Sequence, residues 1–223
     1  MKRKPLLLDL FCGAGGASMG YYRAGFDVVG IDKNRQKNYP FGFLRADVME
    51  WLPRAIESGE IERFDVIAAS PPCQYYTELP GDFRDNYPDL IGSVRELLIL
   101  SNKPYIIENV RGARRKMGHW VMLCGWQFGL KTYRHRYFET KPLVLVPPHL
   151  VHPEPCPRSG RGKSPIYGFI SVTGNGGAPN LDMPYLQYAS TAMDISWMTR
   201  DELSQAIPPA YTRFIGKKML EMI

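Results

Sequence analysis

The chain has 223 residues, 44% of them hydrophobic and 22% charged, the usage of an ordinary globular domain, which excludes a disordered, collagen-like or coiled-coil protein and leaves room for one sizeable core. Its longest apolar runs, such as Leu6 to Leu8 and Leu97 to Leu100, fall far short of the roughly 18 residues that cross a bilayer, so no membrane association is expected. A net charge of +6 with a pI near 9.1 favours a polyanionic partner without identifying one.

Lys2, Arg3 and Lys4 precede an apolar run that Asp9 interrupts, and no small-residue cleavage site follows; a signal peptide therefore fails and a cytoplasmic location is expected. Lys4 to Phe11 reads as a buried strand, followed by the glycine cluster Gly13 to Gly16 and a helix over Ala17 to Ala24 that Gly25 can end. Phe26 to Ile31 predicts a second strand ending at Asp32, and Phe43 to Ala46 a weaker third ending at Asp47. A helix over Val48 to Ser58 and a fourth strand over Phe64 to Ala69 follow, the strand running into Ser70-Pro71-Pro72-Cys73. Leu90 to Ser101 predicts a helix and Tyr105 to Glu108 a fifth strand. Beyond Glu139 the pattern breaks: Pro142 to Pro165 holds seven prolines, and Gly174 to Pro184 is loop-like. From Thr199 the chain turns helical again, with Pro208-Pro209 opening a final amphipathic helix to Ile223.

Strands alternating with helices imply an α/β fold with a mainly parallel sheet flanked by helices. Ligands of such sheets bind outside the carboxyl ends of the strands, so Asp32, Asp47, Cys73 and Glu108 should face one crevice. The glycine turn allows close backbone approach, and Asp32 at the end of the second strand is placed to accept both ribose hydroxyls of a nucleoside. Asp47 is a candidate for an adenine amine, although an aspartate there also suits a helix cap. Pro71-Pro72-Cys73-Gln74 presents a thiol on a proline-stiffened loop, and a thiolate is a strong nucleophile. Glu108, ending an apolar strand beside it, should have a raised pKa suited to protonating a substrate nitrogen.

In this order the motifs resemble those of the cytosine-C5 DNA methyltransferases, and the resemblance spans most of the chain. Asp9-Leu10-Phe11-Cys12-Gly13-Ala14-Gly15-Gly16 is similar to the family's cofactor loop, Asp32 to its ribose carboxylate, and Asp47-Val48 to its adenine contact. Pro71-Pro72-Cys73-Gln74 resembles the nucleophile loop, Glu108-Asn109-Val110 the catalytic glutamate motif, and Arg134-His135-Arg136 the paired-arginine motif. The segment Ala206-Ile207-Pro208-Pro209 resembles the last motif, which returns to complete the cofactor site.

The resemblance implies a Rossmann-like methyltransferase fold with S-adenosylmethionine as cofactor, double-stranded DNA as partner, and residence in a bacterial or phage-infected cell. It makes Cys73, Glu108, Asn109, Arg134 and Arg136 the catalytic set, and Phe11, Gly13, Ala14, Gly15, Asp32, Asp47, Val48, Pro72 and Gln205 the cofactor set. Cys73 would add to C6 of a flipped-out cytosine, Glu108 would stabilise the N3-protonated ring, the arginines would hold the nucleotide, and Asn109 would brace the Pro72-Cys73 loop. The same chemistry on RNA, and a catalytically inactive nucleic-acid-binding homologue, are the alternatives.

The chain divides into a catalytic and cofactor-binding core over 1–140, a short insert over 141–190 and a C-terminal segment over 191–223 that returns to the core. Three features depart from the family pattern. About fifty residues, Lys141 to Ser190, fill the place of a large target-recognition region, so specificity is short, weak or supplied by a protein partner. Ser204-Gln205 stands where Gly-Asn is usual, and Thr132 replaces the glutamine that opens the arginine motif. Basic clusters at Arg111 to Lys116 and Arg158 to Lys163 suit phosphate contacts or a solvated surface. Tyr75, Tyr76 and Trp126 are candidate base contacts, though aromatic residues are more often packed. His149, His152 and Cys156, with Cys124 as a distant fourth, have a spacing compatible with zinc, but no Cys-x-x-Cys pair supports it and no metal is expected.

Overall fold

A computed structural model describes residues 3–77, 87–153, 168–172 and 185–223. Seven strands form one sheet in the order β3-β2-β1-β4-β5-β7-β6. The first five are β1 (Leu6–Leu10), β2 (Asp27–Asp32), β3 (Gly42–Arg45), β4 (Val66–Ala69) and β5 (Tyr105–Asn109). Their mutual pairings are all parallel, with β1 central between β2 and β4. A strand covered on both faces must be apolar throughout rather than alternating. Accordingly Leu7, Leu8 and Leu10 are fully buried, Leu8 and Leu10 on one face of the sheet and Leu7 on the other.

Helices α2 (Val48–Glu57) and α3 (Ile91–Leu100) cover the first face, where Leu52 and Leu98 meet Leu8, Ile67 and Ile107. On the opposite face, α1 (Gly16–Ala24) packs with a helix from the far end of the chain, and Tyr21, Tyr211 and Ile215 meet Leu7, Val66 and Ile106. The last three helices are α4 (Tyr185–Met193), α5 (Arg200–Gln205) and α6 (Pro209–Leu220). Thr199 opens α5 with a capping box shared with Glu202, and Pro209 stands at the first position of α6, where a missing N–H costs nothing.

Close approach of α1 and α6 depends on glycine. A Cβ at Gly20 would lie 1.9 Å from Thr212 Oγ1 and 2.2 Å from the Pro209 carbonyl oxygen. With no side chain there, Thr212 Oγ1 donates across the gap to the Ala17 carbonyl at 2.8 Å. Tyr211 Oη donates to the carbonyl oxygens of Tyr133 and Arg134 at 3.1 and 2.9 Å, tying α6 to the paired-arginine segment.

Two strands went unanticipated from sequence: β6 (Trp120–Leu123) and β7 (Arg136–Lys141), the latter antiparallel between β5 and β6. Charged residues in β7 obscured it, yet Glu139 is buried within the sheet. Arg95 of α3 compensates that charge with a two-point pair, Nε to Oε1 and Nη2 to Oε2, both at 2.7 Å. The Gly118 amide adds a third donor at 2.7 Å, and a buried carboxylate needs such full pairing. Helix α4 likewise begins inside the stretch expected to be irregular.

Candidate active site

The strand ends of β1, β2, β4 and β5 open on one cleft of about 650 Å³, within the usual range of small-molecule sites. Phe11, Gly13, Ala14, Asp32, Asp47, Val48, Pro72, Cys73, Glu108, Asn109, Arg136 and Gln205 all line it. Gly15 and Arg134 do not.

The turn after β1 is built from left-handed backbone. Phe11, Gly13 and Gly15 have φ of 59°, 50° and 84°, a conformation that a non-glycine residue adopts only against strain, as Phe11 does. Gly15 caps the start of α1, and Gly13 turns its amide toward β2, donating to Asp32 Oδ2 at 3.1 Å. The other oxygen of Asp32 accepts from the Asn34 amide at 2.8 Å. A Cβ on Gly13 would meet nothing within 4 Å, so the turn leaves its outer side open to the cleft. Trp197 Nε1 donates to the Ala14 carbonyl at 2.9 Å and holds the turn from the C-terminal side. Asp47 lines the cleft while its Oδ1 caps α2 through the Met49 amide at 2.8 Å. Of the two roles considered for an aspartate there, the helix cap is observed, and the residue also lines the cleft.

Across the cleft, Cys73 follows β4 and Glu108 lies at the end of β5. Asn109, one residue on, donates from Nδ2 to the Pro71 carbonyl at 2.9 Å and accepts from the Val110 amide at 2.9 Å. Glu108 is buried, and burial raises its pKa against the opposing pull of Arg136 and Arg134. Arg136 Nε lies 3.1 Å from Glu108 Oε1, an ion-pair distance without hydrogen-bond alignment, because that buried oxygen has no hydrogen-bond partner among the described residues. Burial also raises the Cys73 thiol, with the Glu108 charge adding to it and Arg136 and Arg134 working the other way. Cys12 is pushed far above the thiol range by burial, which leaves it inert.

Arg134 does not face the cleft. Its Nε donates to the Ala206 carbonyl at 2.8 Å, its Nη2 to the Ser204 carbonyl at 2.7 Å and its Nη1 to the Val172 carbonyl. Each nitrogen is thus engaged by backbone, and the side chain ties the paired-arginine segment to the stretch that presents Gln205 and Ala206.

Asp9 was not singled out from the sequence as a site residue. It sits in central β1, buried, lining the cleft, with Ser18 Oγ donating to Oδ2 and Oδ1 without a hydrogen-bond partner among the described residues. Burial pushes its pKa up to about 7, helped by the charges of Glu108 and Asp32. A carboxylate interrupting a run of leucines was the available signal.

Other candidates have structural placements. Tyr76 is buried, with its hydroxyl on Asp89, and Trp126 packs edge-on against Phe169 at 5.7 Å. In the first basic cluster, Lys116 pairs with Asp89 at 2.8 Å and Arg114 lies over Trp120 and Tyr137. Arg158 to Lys163 and Cys156 lie outside the described residues. Where no metal was expected, the fold gathers Cys124, His149 and His152 with His135, a residue read only as part of the arginine motif.

Residues 6–138 match the family model for C-5 cytosine-specific DNA methylases. Type II methyltransferase M.FnuDI of Fusobacterium nucleatum is 33% identical over 121 residues, covering 49% of this chain and 33% of that protein. Type II methyltransferase M.HgiGI of Herpetosiphon aurantiacus is 30% identical over 123 residues, covering 50% of this chain and 95% of that protein. The match to M.FnuDI, M.XorII and M.AgeI spans about a third of the length of each. In fold, the chain is similar to a prophage-encoded protein of E. coli, with a TM-score of 0.65 at 15% identity over 97% of this chain and 99% of that one. It is also similar to the Entamoeba histolytica methyltransferase EhMeth, with a TM-score of 0.63 at 13% identity over the whole of both chains. With the family model covering more than half of its residues, the chain belongs to the C-5 cytosine-specific DNA methylases.

Proposed function

We propose that this protein is a DNA cytosine-C5 methyltransferase that uses S-adenosylmethionine. The observation that carries the reading is that one cleft holds a nucleoside-type turn and carboxylate, Gly13 with Asp32, opposite a thiol and a buried carboxyl, Cys73 with Glu108. The residues present fit the cofactor: the outer side of Gly13 is open, Asp32 ends β2, and Asp47, Val48, Phe11, Pro72 and Gln205 complete the wall. When bound, S-adenosylmethionine supplies an electrophilic methyl group.

Cytosine C5 is a poor nucleophile until the ring is converted to an enamine. Cys73, as thiolate, forms a bond to C6, and the electron pair displaced from the C5–C6 bond is drawn toward N3. Glu108, whose pKa burial raises, hydrogen-bonds or protonates N3 and so neutralises the charge that addition builds up. Once C5 carries the methyl group, loss of its proton and expulsion of Cys73 restore the aromatic ring. Stacked bases shield C6, so the target nucleotide leaves the duplex, and Arg136, on the Glu108 side of the cleft wall, is a cation placed to hold it. Arg134 acts as a positioning residue, through the carbonyls it binds. With a short insert, DNA sequence selection is limited or depends on a protein partner.

The test is methylation of unmodified double-stranded DNA with S-adenosylmethionine, read at base resolution by bisulfite sequencing, beside Cys73→Ala. Modified cytosines in a reproducible context, absent in the variant, support the proposal. Unmodified DNA from protein that binds both cofactor and DNA overturns it, and transfer to RNA alone would reassign the substrate.

A further inference from the structure

Three of the chain's four histidines meet at one point, away from the cleft. His135 Nε2 lies 3.2 Å from the Nε2 of His149 and 3.2 Å from that of His152, and the last two are 3.1 Å apart. Cys124 Sγ lies 3.3 Å from His152 Nε2, and the four ligand atoms all fall within 4.8 Å of one another.

Hydrogen bonding alone does not account for this triangle. A given Nε2 either carries a proton and donates or carries a lone pair and accepts, and never does both. Three mutually contacting atoms in two states must include at least one like pair, either two N–H groups or two lone pairs face to face. A cation removes the conflict, since all three lone pairs then point at it. Two imidazole nitrogens on a tetrahedral zinc at ~2.0–2.1 Å lie ~3.3–3.4 Å apart, and a nitrogen and a thiolate ~3.6 Å. The observed spacings are those of such a shell, drawn in slightly.

The surroundings suit the same ion. Cys124 follows β6, at the mouth of a 3-10 turn, and its sulfur accepts from the backbone amide of Gln127, which helps fix its orientation. Gln127 accepts from the Cys124 amide at 2.8 Å and donates to the Pro147 carbonyl at 3.1 Å, guiding the histidine-bearing segment over the cysteine. Tyr133 stacks on the His152 ring with centroids 3.6 Å apart and on Phe169 at 4.6 Å.

We infer that Cys124, His135, His149 and His152 form a zinc site. Four protein ligands close the shell and none of them lines the cleft, so the ion is structural. It clips the start of the insert, through His149 and His152, to the paired-arginine segment, through His135. The inference does not depend on the proposed activity.

The experiment is elemental analysis of untagged protein purified without chelator. The expected result is about one zinc per chain, lost in Cys124→Ser and in His149→Ala and kept in His119→Ala, which changes the one histidine outside the cluster. As a measurement independent of whether those variants fold, wild-type protein stripped of metal and titrated with Co(II) should show tetrahedral d–d absorption and a thiolate charge-transfer band. Wild-type protein that purifies without zinc and shows neither band on adding Co(II) overturns the inference. So does zinc that persists in folded Cys124→Ser and His149→Ala, or stoichiometric copper or nickel in its place.

Discussion

Asn109 Nδ2 donates 2.9 Å to the carbonyl oxygen of Pro71, so the residue after Glu108 holds the loop that carries Cys73. The carboxyl and the thiol are therefore set against each other by one amide rather than by two independent loops. Asn109→Ala should lower kcat by roughly 10- to 100-fold through misplacement of the thiol. It should leave cofactor affinity nearly unchanged and cost about 1–3 kcal/mol of stability for the stranded carbonyl. Steady-state methylation, cofactor titration and urea unfolding measure the three. An equal loss of cofactor affinity and kcat would show instead that the variant distorts the whole cleft.

Charge around Cys73 should set the pH at which it reacts. Burial and the Glu108 charge raise the thiol, and Arg136 pulls it down. The alkylation rate of Cys73 by iodoacetamide, followed on its own peptide by mass spectrometry, should rise at a pH above that of a free cysteine, ~8.5. Glu108→Gln should move the rise to lower pH and Arg136→Gln to higher pH. Identical profiles in all three proteins would remove both side chains from the electrostatics of the thiol.

Asp9 links pH to stability. Its folded pKa is raised to about 7 from an ordinary carboxylate value. A raised folded pKa means that the contribution is complete below pH ~4 and is lost as pH rises through the folded value, at most roughly a few kcal/mol. Glu108 is shifted in the same direction, so Asp9→Asn isolates the first group. The variant should gain stability relative to wild type as pH rises from 5.5 to 8.5, in unfolding measured without cofactor. A difference that stays constant over that range would mean that Asp9 does not titrate there.

Gly20 is where α1 and α6 come closest. Gly20→Ala sets a methyl group against Thr212 Oγ1 and the Pro209 carbonyl, contacts too short to relax without moving α6. The expected cost is about 2 kcal/mol or more, with weaker cofactor binding, because the stretch from Gln205 to Ile207 that precedes α6 lines the cleft. Thermal melts and cofactor titration report both effects. Unchanged stability would show that the helices separate without cost.

Much of this was legible in the chain, and the exceptions share a cause. Strands β1, β2, β4 and β5 are buried on both faces, so each reads as an apolar run with a polar residue at its end, and those end residues became the cleft wall. Strand β7 escaped because Glu139 is charged and its compensating partner, Arg95, lies 44 residues earlier. Strand β6 lies at the sheet edge and pairs only with β7, so it went unread with its partner. Arg134 looked like a ligand-facing cation because motif order carries no information about which carbonyls the fold will bring to it. The histidine cluster was legible in part: Cys124, His149 and His152 were named with Cys156 for their spacing, while His135 was missed because only the antiparallel turn-back of β7 on β6 brings the arginine segment to Cys124.

The cleft wall joins Phe11 near one end of the chain to Gln205 and Ile207 near the other. A chain emerging from the ribosome makes the glycine turn, Asp32, Cys73 and Glu108 long before the residues that close the cleft over them. Most of the sheet can therefore assemble while the site is still an open trough, and competence to hold a ligand comes last. Because closing a loop of nearly 200 residues is slow and entropically costly, a ligand spanning both walls should act as a late folding partner, drawing α6 onto α1.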